Sequence, residues 1–229
     1  MTPRAMVMAA ALVAVAALPS GPPRARAAGD AVATLPIPGD LIPLEADEDL
    51  RAEADEARAS ELVAKDALAA GRAMETEAKA SLEARKSKLE ALRKQISLAG
   101  SEKREADKKA LELERSGEEA ARNFYERLLA LRQAEAEHQS ALMESHRSRA
   151  AACERGLALG VQRRKNETTT SVTSSAQLSS LGSNLASAER LYLEATRAWK
   201  ERDAEAAARE VTVAERRIQA WEALGKVRR

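Results

Sequence analysis

The sequence predicts an all-α protein of long, alanine-rich helices, arranged as an antiparallel three-helix bundle or a coiled-coil hairpin. Three observations carry that expectation. First, 51 of the 229 residues are alanine and 32% are charged, while aromatic residues make up only 2%. Enrichment in Ala, Glu, Lys, Leu and Arg at this level belongs to long helices and coiled coils, and it argues against a β-sandwich, a doubly wound sheet or a disulfide scaffold. Second, apolar residues recur at alternating spacings of four and three along most of the chain. Third, the helical stretches so defined are similar in length and joined by short breaks, as antiparallel neighbours require.

The chain opens with one basic residue, Arg4, before an unbroken apolar run from Ala5 to Leu18. Prolines 19, 22 and 23 end that run, and Ala25-Arg26-Ala27 follows as a small-residue cleavage pattern. A charged head, a short apolar core and small residues at the cut are the features of a secretory signal, so residues 1–27 are expected to be removed after Ala27. The run is too short for a bilayer core, which takes roughly 20 residues. The mature chain is therefore expected in the periplasm or secreted, with no transmembrane span. Removal takes Arg4, Arg24 and Arg26 with it and leaves 34 basic and 36 acidic residues, a net charge of −2. That balance lacks the basic footprint of a nucleic-acid binder. The alanine and arginine bias fits a bacterial chain.

Residues 28–45 carry Pro36, Gly39 and Pro43 and read as an extended arm. Helical sequence starts near Asp47, where Glu45, Asp47, Glu48 and Asp49 suit the positive end of the helix dipole. One apolar row then runs from Leu50 through Leu68, Leu82, Leu89, Leu92 and Ile96 to Ala99, with eleven of its fifteen positions apolar. Gly100-Ser101 interrupts it, which places a turn near 99–101 with Ser101 as the cap of the next helix. The second row resumes at Ala106 and passes through Leu113, Phe124, Leu131 and His138, with Leu128 and Leu142 widening it. Residues 46–165 thus form a two-helix hairpin; the alternative is one continuous rod through Gly100, since a lone glycine costs only about 1 kcal/mol in a helix. Residues 166–175, rich in serine and threonine, read as a loop. The third helix, 176–229, carries Leu178, Leu181, Leu185, Tyr192 and Trp199 on its row. If the first and third helices start level, Phe124 and Trp199 share a core layer.

Catalytic signals are missing from the sequence. It contains no G-x-x-x-x-G-K-[ST], G-x-G-x-x-G, G-x-S-x-G, H-E-x-x-H or C-x-x-C motif, and it has two histidines and one cysteine. The weak metal candidate is Glu135 with His138, whose i, i+3 spacing aims a carboxylate and an imidazole at one ion in helical di-iron proteins. Those sites need a second copy and two further glutamates, which the sequence does not offer. Glu61, Glu75 or Arg85 of a facing helix would then pair with His138. Arg147, Arg149, Arg155, Arg163, Arg164 and Lys165 form a basic stretch that suits the end of a helix, with contact to anionic envelope surfaces as the functional reading. Cys153 alone offers either a quiet helix-face thiol or a cross-link between chains. The expectation is therefore a non-enzymatic structural or interaction protein without cofactors, which docks helix on helix with a protein partner or with itself. A periplasmic metal or ligand sensor and an accessory component of an efflux-type assembly are the alternatives, the latter by architectural analogy only.

Overall fold

The computed structural model describes residues 42–169 and 175–227. The signal segment, most of the arm, residues 170–174 of the loop and the side chain of Leu178 lie outside them. Three helices make up the fold: α1 (Asp47–Ser101, 55 residues), α2 (Glu105–Thr169, 65 residues) and α3 (Ser175–Val227, 53 residues). At ~1.5 Å per residue they run roughly 80–100 Å each. The fold is an all-α, antiparallel three-helix bundle in which α2 is the shared element. Both α1 and α3 pack along α2, whereas α1 and α3 bring no Cα atoms within 8 Å of one another.

The row counted on α1 is the face that packs. Every buried residue of this helix lies on it, namely Leu50, Ala54, Ala57, Ala64, Leu68, Ala78, Leu82, Leu89, Leu92 and Ala99. Ile96 is half-buried. One partner helix needs one stripe, so a single 4-3 row accounts for α1 completely. Alanine dominates it, which lets the α1 and α2 backbones approach closely. At Gly71, an added Cβ would lie 4.0 Å from the Ala136 backbone of α2.

The hairpin between α1 and α2 settles the choice against a continuous rod, but not at the expected residues. Ser101 is the last residue of α1, and its hydroxyl donates back to the Leu98 carbonyl at 2.7 Å instead of capping α2. Past it, the Arg104 amide donates to the Ala99 carbonyl at 2.9 Å and the Lys103 amide to the Gly100 carbonyl at 3.3 Å. That pair of bonds closes a Schellman turn, in which the residue between the two donors' helix and the next chain segment must be left-handed. Lys103 takes that position at φ 55°, whereas Gly100 stays helical with nothing within 4 Å of where its Cβ would be. The glycine that marks the turn in sequence therefore sits three residues before the strained position. Lys103→Gly is expected to stabilise the fold by about 1 kcal/mol, because only glycine enters that region without a Cβ penalty; urea denaturation would measure it.

α2 runs on to Thr169, so residues 166–169 are helical and the connection to α3 is shorter than the Ser/Thr composition suggests. The helices are also staggered rather than flush. At Gly156 of α2, an added Cβ would meet Leu50 of α1 at 3.1 Å and Tyr192 of α3 at 3.2 Å. The start of α1 is thus level with a point well inside α3. Trp199 accordingly lies beside Arg149, whose guanidinium carbon is 5.8 Å from its ring centre. Phe124 is roughly 37 Å further along α2, edge-on to Tyr125 at 5.2 Å. The shared Phe124–Trp199 layer is therefore wrong: α3 takes its register from the short connection to α2, not from where α1 begins.

α2 has to serve two partners, and its counted row is the face turned to α3. Leu131 and Ala134 pack with Val213 and Ala220 of α3, and Leu128 lies against that cluster, as its off-row position anticipates. Leu185 is buried, while Leu181, Tyr192, Trp199 and Phe124 are half-buried. Earlier on the row Leu113 is 77% exposed, and Ala106, Ala110 and Gly117 are exposed with it. Arg127 and Gln219 bond at 3.4 Å near the end of α3, so in antiparallel register Val227 reaches only to about Glu119. The earlier part of the α2 row, Ala106 to Gly117, has no α3 opposite it.

Candidate functional site

The metal candidate is occupied by other contacts. Arg132 donates to one Glu135 oxygen at 2.7 Å, and Arg217 of α3 lies 3.7 Å from the other. The His138 ring faces α3, not α1, with Nδ1 3.1 Å from the Ala206 carbonyl. A carbonyl only accepts, so the proton sits on Nδ1. The α1 residues expected to pair with His138 find other partners: Glu61 takes Arg147, Glu75 takes Gln133 and Arg85 takes Glu118. Among the described residues, no three His, Cys, Asp or Glu side chains converge as metal ligands would.

The basic stretch at the end of α2 is mostly cross-helix adhesive. Arg147 bonds Glu61 at 3.0 Å, Arg149 lies 3.5 Å from Glu53 and 3.8 Å from Glu56, and Arg164 holds Asp47 at 2.7 and 3.1 Å. Arg163 donates to the Ile42 carbonyl at 2.9 Å and faces Glu189 of α3 at 3.5 Å, which ties the last arm residues and α3 to α2. The acidic start of α1 therefore has a tertiary partner beyond its own dipole. Arg164 holds the Asp47 carboxyl below its ordinary range through that hydrogen bond, against a weaker opposing effect of burial. The Asp47–Arg164 pair spans the cleft at this end, between Leu44–Glu48 and Gly156–Arg164.

Cys153 packs with Leu50 and Ala54 between α1 and α2, and it is buried. Burial first, and then the Glu53 carboxylate 3.6 Å away, push its thiol up to about 11. Such a thiol is neutral and shielded at neutral pH, as a quiet helix-face cysteine would be. Ser145, at 2% exposure, donates to Asp203 of α3 at 3.2 Å and so satisfies the one hydroxyl that its row buries against α3. Its neighbour His146 is held below its ordinary value by burial, with the Arg149 charge adding to the effect.

The remaining surface is largely charged, with a few large apolar side chains exposed among the charges. Leu113 is 77% exposed, Val211 61%, Ile218 59% and Trp221 70%. Single exposed apolar residues are unremarkable, but aligned ones mark contact surfaces. The first belongs to the α2 face that α3 fails to cover. The other three lie on the side of α3 turned away from α2. Reading only the row through Val213 and Ala220 missed them, although a second 4-3 row can be counted from Ala204 onward. No helix among the described residues is long and apolar enough to cross a membrane. No known protein family, curated protein or solved structure matches the chain.

Proposed function

We propose that this chain is an exported, non-enzymatic helical protein that acts by helix-on-helix docking, as a spacer, adaptor or chaperone-like partner beyond the inner membrane. Its main support is the face of α2 between Ala106 and Gly117, a row of small and apolar residues that no other helix covers among the described residues. Leu113 at its centre is 77% exposed. A partner helix laid there would meet α2 on the side that α3 covers further along, extending the same packing by a few turns. The export reading rests on the sequence of residues 1–27.

In-cell cross-linking of the full-length chain with a C-terminal tag, followed by mass spectrometry, tests both parts. A reproducible envelope protein joined near residues 106–117, and lost with Leu113→Glu while the helical circular dichroism is unchanged, is the expected result. Capture of no partner, or capture indifferent to Leu113→Glu, would overturn the docking surface. The same spectra locate the N-terminus: Ala28 supports export, and Met1 removes it.

A further inference from the structure

α3 carries two apolar rows. The inner one holds it to α2, and the outer one runs Ala204, Ala207, Val211, Ala214, Ile218, Trp221, spaced 3-4-3-4-3 and without a charge. All six residues are exposed. A sustained 4-3 row is the requirement for a second helix to lie alongside, because it keeps one stripe facing the partner. We infer that this outer row pairs with the same row of a second copy of the chain, antiparallel, about a two-fold axis between Thr212 and Val213. The inference deepens the docking reading above by naming one partner, at a surface separate from Leu113.

Size decides in favour of a second copy and sets its direction. Turned end for end about that axis, Trp221 meets Ala204, Ile218 meets Ala207, and Val211 meets Ala214. Each of the six layers then holds one large side chain and one alanine, which is how facing rows interdigitate without voids or clashes. A parallel pairing would instead stack tryptophan on tryptophan and alanine on alanine, leaving overfilled and empty layers in turn. Charge is divided on the antiparallel choice, because on one side of the row Glu201, held by Arg197, faces the partner's Glu222. Glu210 and Arg217 flank the same side of the row, and the reversed copy sets Glu210 beside the partner's Arg217 twice over. Glu210 has no ion-pair partner within the chain among the described residues, and Arg217 has only Glu135 at 3.7 Å. Among the described residues the pairing is sterically open, because α1 lies away from α3 and makes no backbone contact with it.

The contact is small, since each copy contributes only three large side chains, Val211, Ile218 and Trp221, with three alanines. It falls below the ~1,200 Å² total of a stable interface. Self-association is therefore weak and reversible. Sedimentation velocity of the full chain across roughly three decades of concentration around the micromolar range reads it directly. A monomer–dimer equilibrium is expected, with a blue shift of Trp221 emission as concentration rises. Ile218→Glu buries an unpaired charge in the contact and raises the dissociation constant at least about tenfold. The fold stays intact, because Ile218 is 59% exposed. Direction is tested with cysteines that leave the large residues in place. An oxidised mixture of Lys200→Cys and Gly225→Cys chains forms a disulfide between them, while each variant alone forms none, since like positions lie roughly 37 Å apart.

A monomer at every concentration, or a dimer indifferent to Ile218→Glu, overturns the pairing. Disulfides within either single-variant sample overturn its direction. None of these outcomes bears on the Leu113 face, which is read separately by envelope capture.

Discussion

Gly156→Leu is expected to destabilise the protein by about 3 kcal/mol, at the upper end of what overpacking costs. In a chain of this length that is a fall in Tm of roughly 6–12 °C, read from helical circular dichroism. Gly156 is the place where α1 and α3 both reach α2. A Cβ there would already sit 3.1 Å from one methyl of Leu50, 3.4 Å from the other and 3.2 Å from the Tyr192 ring. Leu50 is 4% exposed and belongs to the cluster with Ala54 and Cys153, so it has nowhere to retreat. Gly156→Ala is the control. Its single methyl asks neighbours for a few tenths of an ångström and returns about 1 kcal/mol of helix propensity, leaving stability nearly unchanged. A Leu variant as stable as the Ala variant would mean that the three helices do not converge at this level.

Glu118→Gln is expected to cost about 1–2 kcal/mol at pH 7, and to cost nothing at low pH. Glu118 is buried near the hairpin tip, where Lys88 donates to it at 2.7 Å and Arg85 at 3.0 and 3.1 Å. Hydrogen bonds to a charged group are worth more than neutral ones, but both cations are over a third exposed, which reduces the figure. Burial on its own would raise this carboxyl; the Lys88 and Arg85 hydrogen bonds together outweigh it and hold Glu118 below its ordinary value. A carboxyl depressed on folding stabilises the fold above its unfolded value of about 4.3, and that stabilisation is lost as pH falls through the folded value. The gap between wild type and variant in urea denaturation should thus be full at neutral pH and close below about pH 4. A gap that persists or widens in acid would assign the effect to side-chain packing rather than to the ion pairs.

Both effects sit on features that the chain's local pattern shows unequally. Arg85 and Glu118 carry no mark of their pairing in sequence, because their 33-residue separation acquires meaning only once the hairpin closes. Gly156 resembles any other helical glycine until two helices arrive beside it. The α1 row, in contrast, was legible residue by residue from Leu50 to Ala99. Its burial follows from helix period alone, and α1 has a single partner. The three helices were legible for the same reason, and their antiparallel order from their similar lengths and short connections.

Which face of a helix receives a neighbour, and how far along, is not a local property. Leu113 and Leu131 occupy equivalent places on one α2 row, yet one is 77% exposed and the other 6%, because α3 ends between them. Arg147, Arg149 and Arg164 form a solvated helix end by composition and an adhesive for α1 by tertiary contact. Lys103 bears the left-handed turn that Gly100 advertises, since the bond pattern at the helix end, not residue preference, selects the position. By itself the sequence determined an all-α chain of three amphipathic helices and the residues that share each stripe, because helical period is written into neighbours three and four apart. Only the tertiary structure decided the stagger of the helices, the two-sided duty of α2 and the faces left bare, because those depend on where separate helices meet.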